Sequence, residues 1–252
     1  MPYIEQIYYE ASGTGHPVIF IHCPAVSHVY WRPVVERLHH RFRCIAFDLR
    51  GHGRTGLGDS PWTFANAAAD IALLTRRLQL DRPVLVGYSA GSAIALHAAL
   101  LHPDAYGAAV VVGGFSECAT LSLGGKARAG LAAVSLRLTP LIGRAVVATN
   151  HVDREHARAM LPDATRVNPV ALSGFLRETL RCNLTPRLHQ IQLPVLLAYG
   201  KRDLPMHTYL RKLQQRLPNH RTRLFEGATH HLPTTHTDQF AAAVTEFITS
   251  MT

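Results

Sequence analysis

Ser89 stands between two glycines in Gly87-Tyr88-Ser89-Ala90-Gly91, directly after the apolar run 83–88 and before a helix-like pattern. Serine is a poor strand residue, and glycine weakens strands and helices alike, so the pentapeptide marks a turn that must be tight. A sharp strand-to-helix turn crowds its neighbours, which accounts for small residues two before and two after the serine. Such a turn holds a hydroxyl out at a helix N-terminus, where the dipole and free N–H groups favour developing negative charge. The plain alternative is a serine that only caps the helix. A lone serine is a weak nucleophile; it needs a base, and the base needs an orienting acid. Asp203 in "YGKRDLP" follows one strand-like run, and His230 and His231 in "FEGATHHLP" follow another. The chain order Ser, Asp, His is the order expected when the nucleophile sits on such an elbow.

Bringing these three groups together requires a sheet whose strands end at one edge. The apolar runs 17–22, 43–48, 83–88, 108–114 and 194–200 read as buried parallel strands, with further strands near "QIYYEASG" and "RTRLFEG". Helical patterns fall between them, at about 31–40, 64–80, 89–101, 205–217 and 238–249. Alternation of strand and helix predicts an α/β fold: a doubly wound, mostly parallel sheet with right-handed crossovers. One stretch breaks the rhythm. Residues 116–189 show amphipathic helical patterns separated by Gly, Pro and Asn, and no strand. The expected organisation is a core of 1–115 and 190–252 with a helical cap, 116–189, over the carboxyl edge where a ligand pocket forms.

The composition narrows the function classes. With 252 residues and 47% hydrophobic content the chain can bury a large core, which excludes disordered and fibrous classes. No apolar run reaches membrane-spanning length. "MPYIEQIYYE" lacks the basic and apolar regions of a secretory leader, which points to a cytoplasmic protein. Cys23, Cys44, Cys118 and Cys182 are widely spaced and read as reduced thiols. The formal net charge of +9 is spread over scattered arginines with no basic run, which argues for a basic enzyme surface and against a nucleic-acid binder. "HVDREH" matches no standard metal spacing, so no metal or other cofactor is expected.

The pieces "VIFIHCPAVSHVYWRPV", "CIAFDLRGHGRT", "LVGYSAGSAIALHAALLHPD", "LLAYGKRD" and "FEGATHHLP" resemble, in order and from end to end, the α/β-hydrolase fold superfamily. The resemblance implies Ser89 as nucleophile, Asp203 as acid and His230 as base; Gly227-Ala228-Thr229-His230 fits the family's Gly-x-x-His. Haloalkane and epoxide hydrolases, by the same resemblance, carry Asp where this chain has Ser89. One departure stands out. The family usually has His-Gly-x after its first core strand, with the N–H of x as half of the oxyanion hole. This chain has His22-Cys23-Pro24, and aligning Trp31 with the family's aromatic puts Pro24, which lacks an N–H, on x. Ala90 implies the other donor. A shifted loop, or Ser27, His28 or Tyr30 donating from its side chain, is the expected replacement. Losing one such donor costs roughly 10²–10³ in rate elsewhere.

The candidate site is therefore Ser89, Asp203 and His230, with Ala90, Cys23, Pro24, Ser27, His28 and Tyr88 for the oxyanion and substrate. Glu117 is an alternative acid. Asp48, Arg50 and Arg54 are expected to tie down their own turn, and Phe115, Leu172 and Phe175 either line a pocket or pack the cap. The reading is a serine esterase or lactonase on a small, moderately apolar substrate, monomeric or homodimeric. The alternatives are carbon–carbon hydrolysis, lyase or cofactor-free oxygenase chemistry, or a low-turnover ligand-binding protein.

Overall fold

The computed structural model describes residues 2–251. Eight strands form one sheet: β1 (Tyr3–Ile4), β2 (Ile7–Ser12), β3 (His16–Ile21), β4 (Phe42–Phe47), β5 (Val84–Tyr88), β6 (Ala108–Val112), β7 (Val195–Gly200) and β8 (His220–Phe225). Their spatial order is β1-β2-β4-β3-β5-β6-β7-β8. The pairings from β4 through β8 are parallel, while β1 and β2 add an antiparallel edge. The mostly parallel, doubly wound sheet expected from the alternating pattern is the one observed.

The apolar runs are continuous because both faces of the sheet are covered. Ile19, Ile21, Leu85, Val111 and Leu197 enter one core with α2 (Phe64–Arg77), α3 (Ala90–Leu101) and α8 (Leu204–Arg216). Their neighbours Val18, Phe20, Val86, Val110 and Leu196 enter the other with α1 (Arg32–Leu38) and α10 (Thr237–Thr249). Alternate residues of a strand point to opposite faces, so a two-faced core needs apolar side chains at every position. Each fully buried Leu, Ile or Phe contributes roughly 1.5–3 kcal/mol of transfer free energy.

Between β6 and β7 lie α4 (Leu121–Ser135), α5 (Thr139–Thr149), α6 (Arg154–Thr165) and α7 (Pro169–Arg181). Side chains start three of them: Thr120 accepts from Leu123 N–H, Asp153 from His156 N–H, and Asn168 from Val170 N–H. The two ends of this insertion meet in an antiparallel bridge, Glu117 with Asn183. A four-residue helix, α9 (Leu232–Thr235), precedes α10. Among the described residues no helix is long and apolar enough to cross a membrane. The four cysteines are unpaired.

Candidate active site

β5 ends at Tyr88 and α3 begins at Ala90, so Ser89 makes the turn alone. Its φ of 53° and ψ of −120° cost a non-glycine residue about 1–3 kcal/mol. Packing holds the strain. A Cβ on Gly87 would lie 2.6 Å from the Gly91 carbonyl oxygen, and one on Gly91 would lie 2.5 Å from that of Ile21. Ser89 N–H donates to Val112 O at 2.8 Å, and the Ser92 hydroxyl donates to Gly87 O at 2.6 Å. Ser89 occupies the N-cap position of α3, but its hydroxyl makes no capping bond. Its Oγ lies 3.0 Å from His230 Nε2 instead.

His230 Nδ1–H donates to Asp203 Oδ2 at 2.8 Å. Because the carboxylate accepts at Nδ1, the lone pair is left on Nε2, facing the serine. Asp203 follows β7 at the head of α8 and is 6% exposed, and the His230 side chain is 28% exposed. Sequence reasoning passed over Gly113, at the end of β6. It has φ 52°, and a Cβ there would lie 3.0 Å from His230 Nδ1 and 3.6 Å from Asp203 Oδ2. The only trace in the sequence is the glycine pair closing "AAVVVGG". Glu117, the alternative acid, is engaged elsewhere: it accepts from the ammonium of Lys212 on α8, and although burial opposes its charge, hydrogen bonds from Lys212 and Thr185 hold its carboxyl below the usual range.

Ala90 opens α3, so its N–H has no acceptor within the helix. The end of β3 and the start of the loop after it pass beside the next residue: a Cβ on Gly91 would also lie 2.7 Å from the His22 carbonyl oxygen. His22 is buried, and desolvation keeps it neutral. Its Nδ1–H donates to Cys23 O at 2.7 Å, and its Nε2 accepts from Leu49 N–H at 3.0 Å. Pro24 and Ala25 make a turn in which Ala25 takes φ 59°. The Cys23 thiol is buried and pushed up to about 12, so it carries no thiolate.

Three expected oxyanion or substrate residues have other employment. His28 is wedged between carboxylates, with Nδ1 2.8 Å from Asp48 and Nε2 3.0 Å from Glu10. Burial disfavours its charge, but the bond to Asp48 and the two negative charges outweigh this and raise its pKa. Both nitrogens are spent, so the ring has no donor left for an oxyanion. Ser27 Oγ accepts from Val29 N–H at 3.3 Å and caps the 3-10 turn His28–Trp31. Tyr88 is 1% exposed and stacks on Tyr30 with ring centroids 5.0 Å apart. Its hydroxyl donates to Asn150 Oδ1 at 3.1 Å rather than facing a substrate.

Asp48 accepts from the backbone N–H groups of His28 and Arg54, Arg50 pairs with Asp70, and Arg54 reaches the Tyr8 hydroxyl, so this turn is tied down by its own charges. Phe115, Leu172 and Phe175 are fully buried and pack the core and the insertion. His156 of the "HVDREH" stretch bonds Val29 O through Nε2 at 2.9 Å.

Residues 16–237 match the family model for the alpha/beta hydrolase fold. The chain is 30% identical over 237 residues to a putative carbamate hydrolase RutD of Caulobacter sp. strain K31, covering 88% of this chain and 86% of that protein. It is 28% identical over 263 residues to the pimeloyl-[acyl-carrier protein] methyl ester esterase of Edwardsiella ictaluri, covering 96% of each. In structure it resembles the bromoperoxidase of Bacillus anthracis (TM-score 0.86, 20% identity, 96% and 95% of the two chains). It resembles the esterase EaEST of Exiguobacterium antarcticum equally well (TM-score 0.86, 17% identity, 96% and 95%). With its sheet, its strained serine turn and a match over most of its length, the chain belongs to the α/β-hydrolase fold family.

Proposed function

We propose that the protein is a serine hydrolase that cleaves an ester or lactone of a small, moderately apolar substrate through a covalent acyl intermediate. One observation carries this reading: Ser89 Oγ, His230 and Asp203 form an unbroken chain of 3.0 Å and 2.8 Å contacts on a serine held at φ 53°. His230 Nε2 takes the Ser89 proton as Oγ attacks the carbonyl carbon. Asp203 keeps the proton on Nδ1 and stabilises the imidazolium. The Nε2 proton passes to the leaving alcohol, and the same nitrogen then activates water to release the acid. The oxyanion is held by Ala90 N–H and by a backbone N–H of the 23–26 turn, in which Pro24 contributes none. Segment 116–189 acts as a cap over this edge. The relatives named carbamate hydrolase and methyl ester esterase support a carbonyl carrying a heteroatom leaving group as the reacting centre.

Treatment with a fluorophosphonate and intact-mass measurement tests the reading. A single adduct is expected, lost in both Ser89→Ala and His230→Ala, with ester turnover reduced roughly 10⁴-fold or more in each variant. A folded protein that takes up no adduct would overturn it and favour a ligand-binding role, the reading to which Pro24 lends weight.

A further inference from the structure

Asn150 ends α5 and is 5% exposed although its amide is polar. Its Nδ2 donates to Val146 O at 2.9 Å and to Thr149 Oγ1 at 3.1 Å, both within its own helix end. That orients Oδ1 away from the helix and onto the core. Two donors meet it there: the Tyr88 hydroxyl at 3.1 Å and His231 Nδ1 at 3.0 Å. Tyr88 directly precedes Ser89, and His231 directly follows His230. An amide oxygen only accepts, so the His231 proton sits on Nδ1. Burial and the neighbouring His230 both keep this imidazole neutral. The phenol oxygen lies 3.2 Å from the same Nδ1, closing a three-membered polar cluster. One residue of the insertion thus reaches the chain neighbours of both the nucleophile and the base.

We infer that Asn150, Tyr88 and His231 form a clasp that holds the α5–α6 arm of the insertion against the loop of His230, making all three positioning residues that couple the arm to the active site. The coupling to catalysis rests on the proposed serine-hydrolase reading; the clasp does not. The arm is packed as a unit, because α5 and α6 approach at backbone distance: a Cβ on Gly143 would lie 2.0 Å from the Ala164 carbonyl oxygen. Val147, Met160 and Ala164 in the core, and His156 on Val29 O, keep the rest of the arm seated, so opening of the clasp loosens the end of α5 and releases His231 from the side of His230.

Hydrogen exchange on the full-length protein, with Asn150→Ala and Tyr88→Phe, separates this from a local role. Removing either bond should speed exchange about tenfold on both sides of the clasp, in residues 139–150 and in 227–231, with β5 to β7 unchanged. Tyr88→Phe is the decisive variant, since it leaves the bonds of Asn150 to its own helix intact. Faster exchange confined to α5 in Asn150→Ala, with Tyr88→Phe unchanged, would overturn the inference. In ester turnover both variants should raise KM about tenfold with kcat changed less than about threefold. Equal losses in kcat and kcat/KM without faster exchange would likewise overturn it. A wild-type protein that takes no fluorophosphonate would defeat the proposed function while leaving the exchange result to judge the clasp.

Discussion

Phe175 of α7 is fully buried, with its ring centroid 4.5 Å from that of Trp62 and 5.6 Å from that of Phe64. α5 and α6 instead bury the smaller side chains Val147, Met160 and Ala164 and add hydrogen bonds, from Asn150 to Tyr88 and His231 and from His156 to Val29 O. Both belong to one insertion, yet the physics of attachment differs. Aromatic burial is non-directional and large, so α7 is rooted in the same core as α2 and α3. A hydrogen bond contributes a net 0.5–1.5 kcal/mol or so and is lost with a small rotation. α7 is thus rooted by aromatic burial, while the α5–α6 arm is held by smaller apolar side chains together with hydrogen bonds, and this arm is the part that meets the residues beside Ser89 and His230.

The comparison can be broken at its strongest point first. Phe175→Ala should cost about 3–5 kcal/mol and lower Tm by roughly 10 °C in a thermal melt. A drop below about 3 °C would mean that α7 is not the root. Gly143→Ala drives a methyl into the Ala164 carbonyl and should cost about 1–3 kcal/mol. Limited proteolysis should then cut within 139–165 while the fluorescence melt of the core barely moves. A core that melts with the arm would show that root and arm are one cooperative unit.

A smaller effect lies under the arm, in the turn that receives His156. His28 there has a folded-state pKa raised above its unfolded value by Asp48 and Glu10, against the cost of burial. The stability it contributes is fully present below about pH 6.5 and is lost as pH rises through the folded value. His28→Gln should flatten this alkaline loss in Tm measured from pH 6 to 9, and an unaltered profile would remove His28 from the account. Least of all, Leu136→Ser, at an exposed position between α4 and α5, should change stability by no more than about 0.5 kcal/mol in urea unfolding. A larger loss would show that this end of the insertion is covered.

Some of this architecture was readable in the residues because it is local. A strand buried on both faces must be apolar throughout, so β3 to β7 stood out with their edges nearly in place. The serine turn was legible because Gly87 is demanded by Gly91 four residues on and the spacing of the pair is itself the signal, although what Gly91 must clear is the distant Ile21 carbonyl. Gly113 was not: its freedom from a side chain matters to His230, which arrives from more than a hundred residues away. His28 shows the opposite error. Its position near the serine edge suggested a donor, but only the pairing of β2 with β4 brings Glu10 and Asp48 to its two nitrogens. Asn150 carries no signal in the sequence, because an Asn at a helix end is ordinary and only the fold puts its oxygen on Tyr88 and His231.

By itself, then, the sequence determined the alternation of strand and helix, the two-sided core, and the order in which Ser89, Asp203 and His230 arrive at one sheet edge. Those follow from periodicity and from turn chemistry, which act over a few residues. Tertiary structure alone decided which of the nearby polar groups are free to act and which are spent. A hydrogen-bonding group has few partners to give, and whether His28, Tyr88, Glu117 or His231 is available depends on carboxylates, an ammonium and an amide delivered by distant segments of the chain.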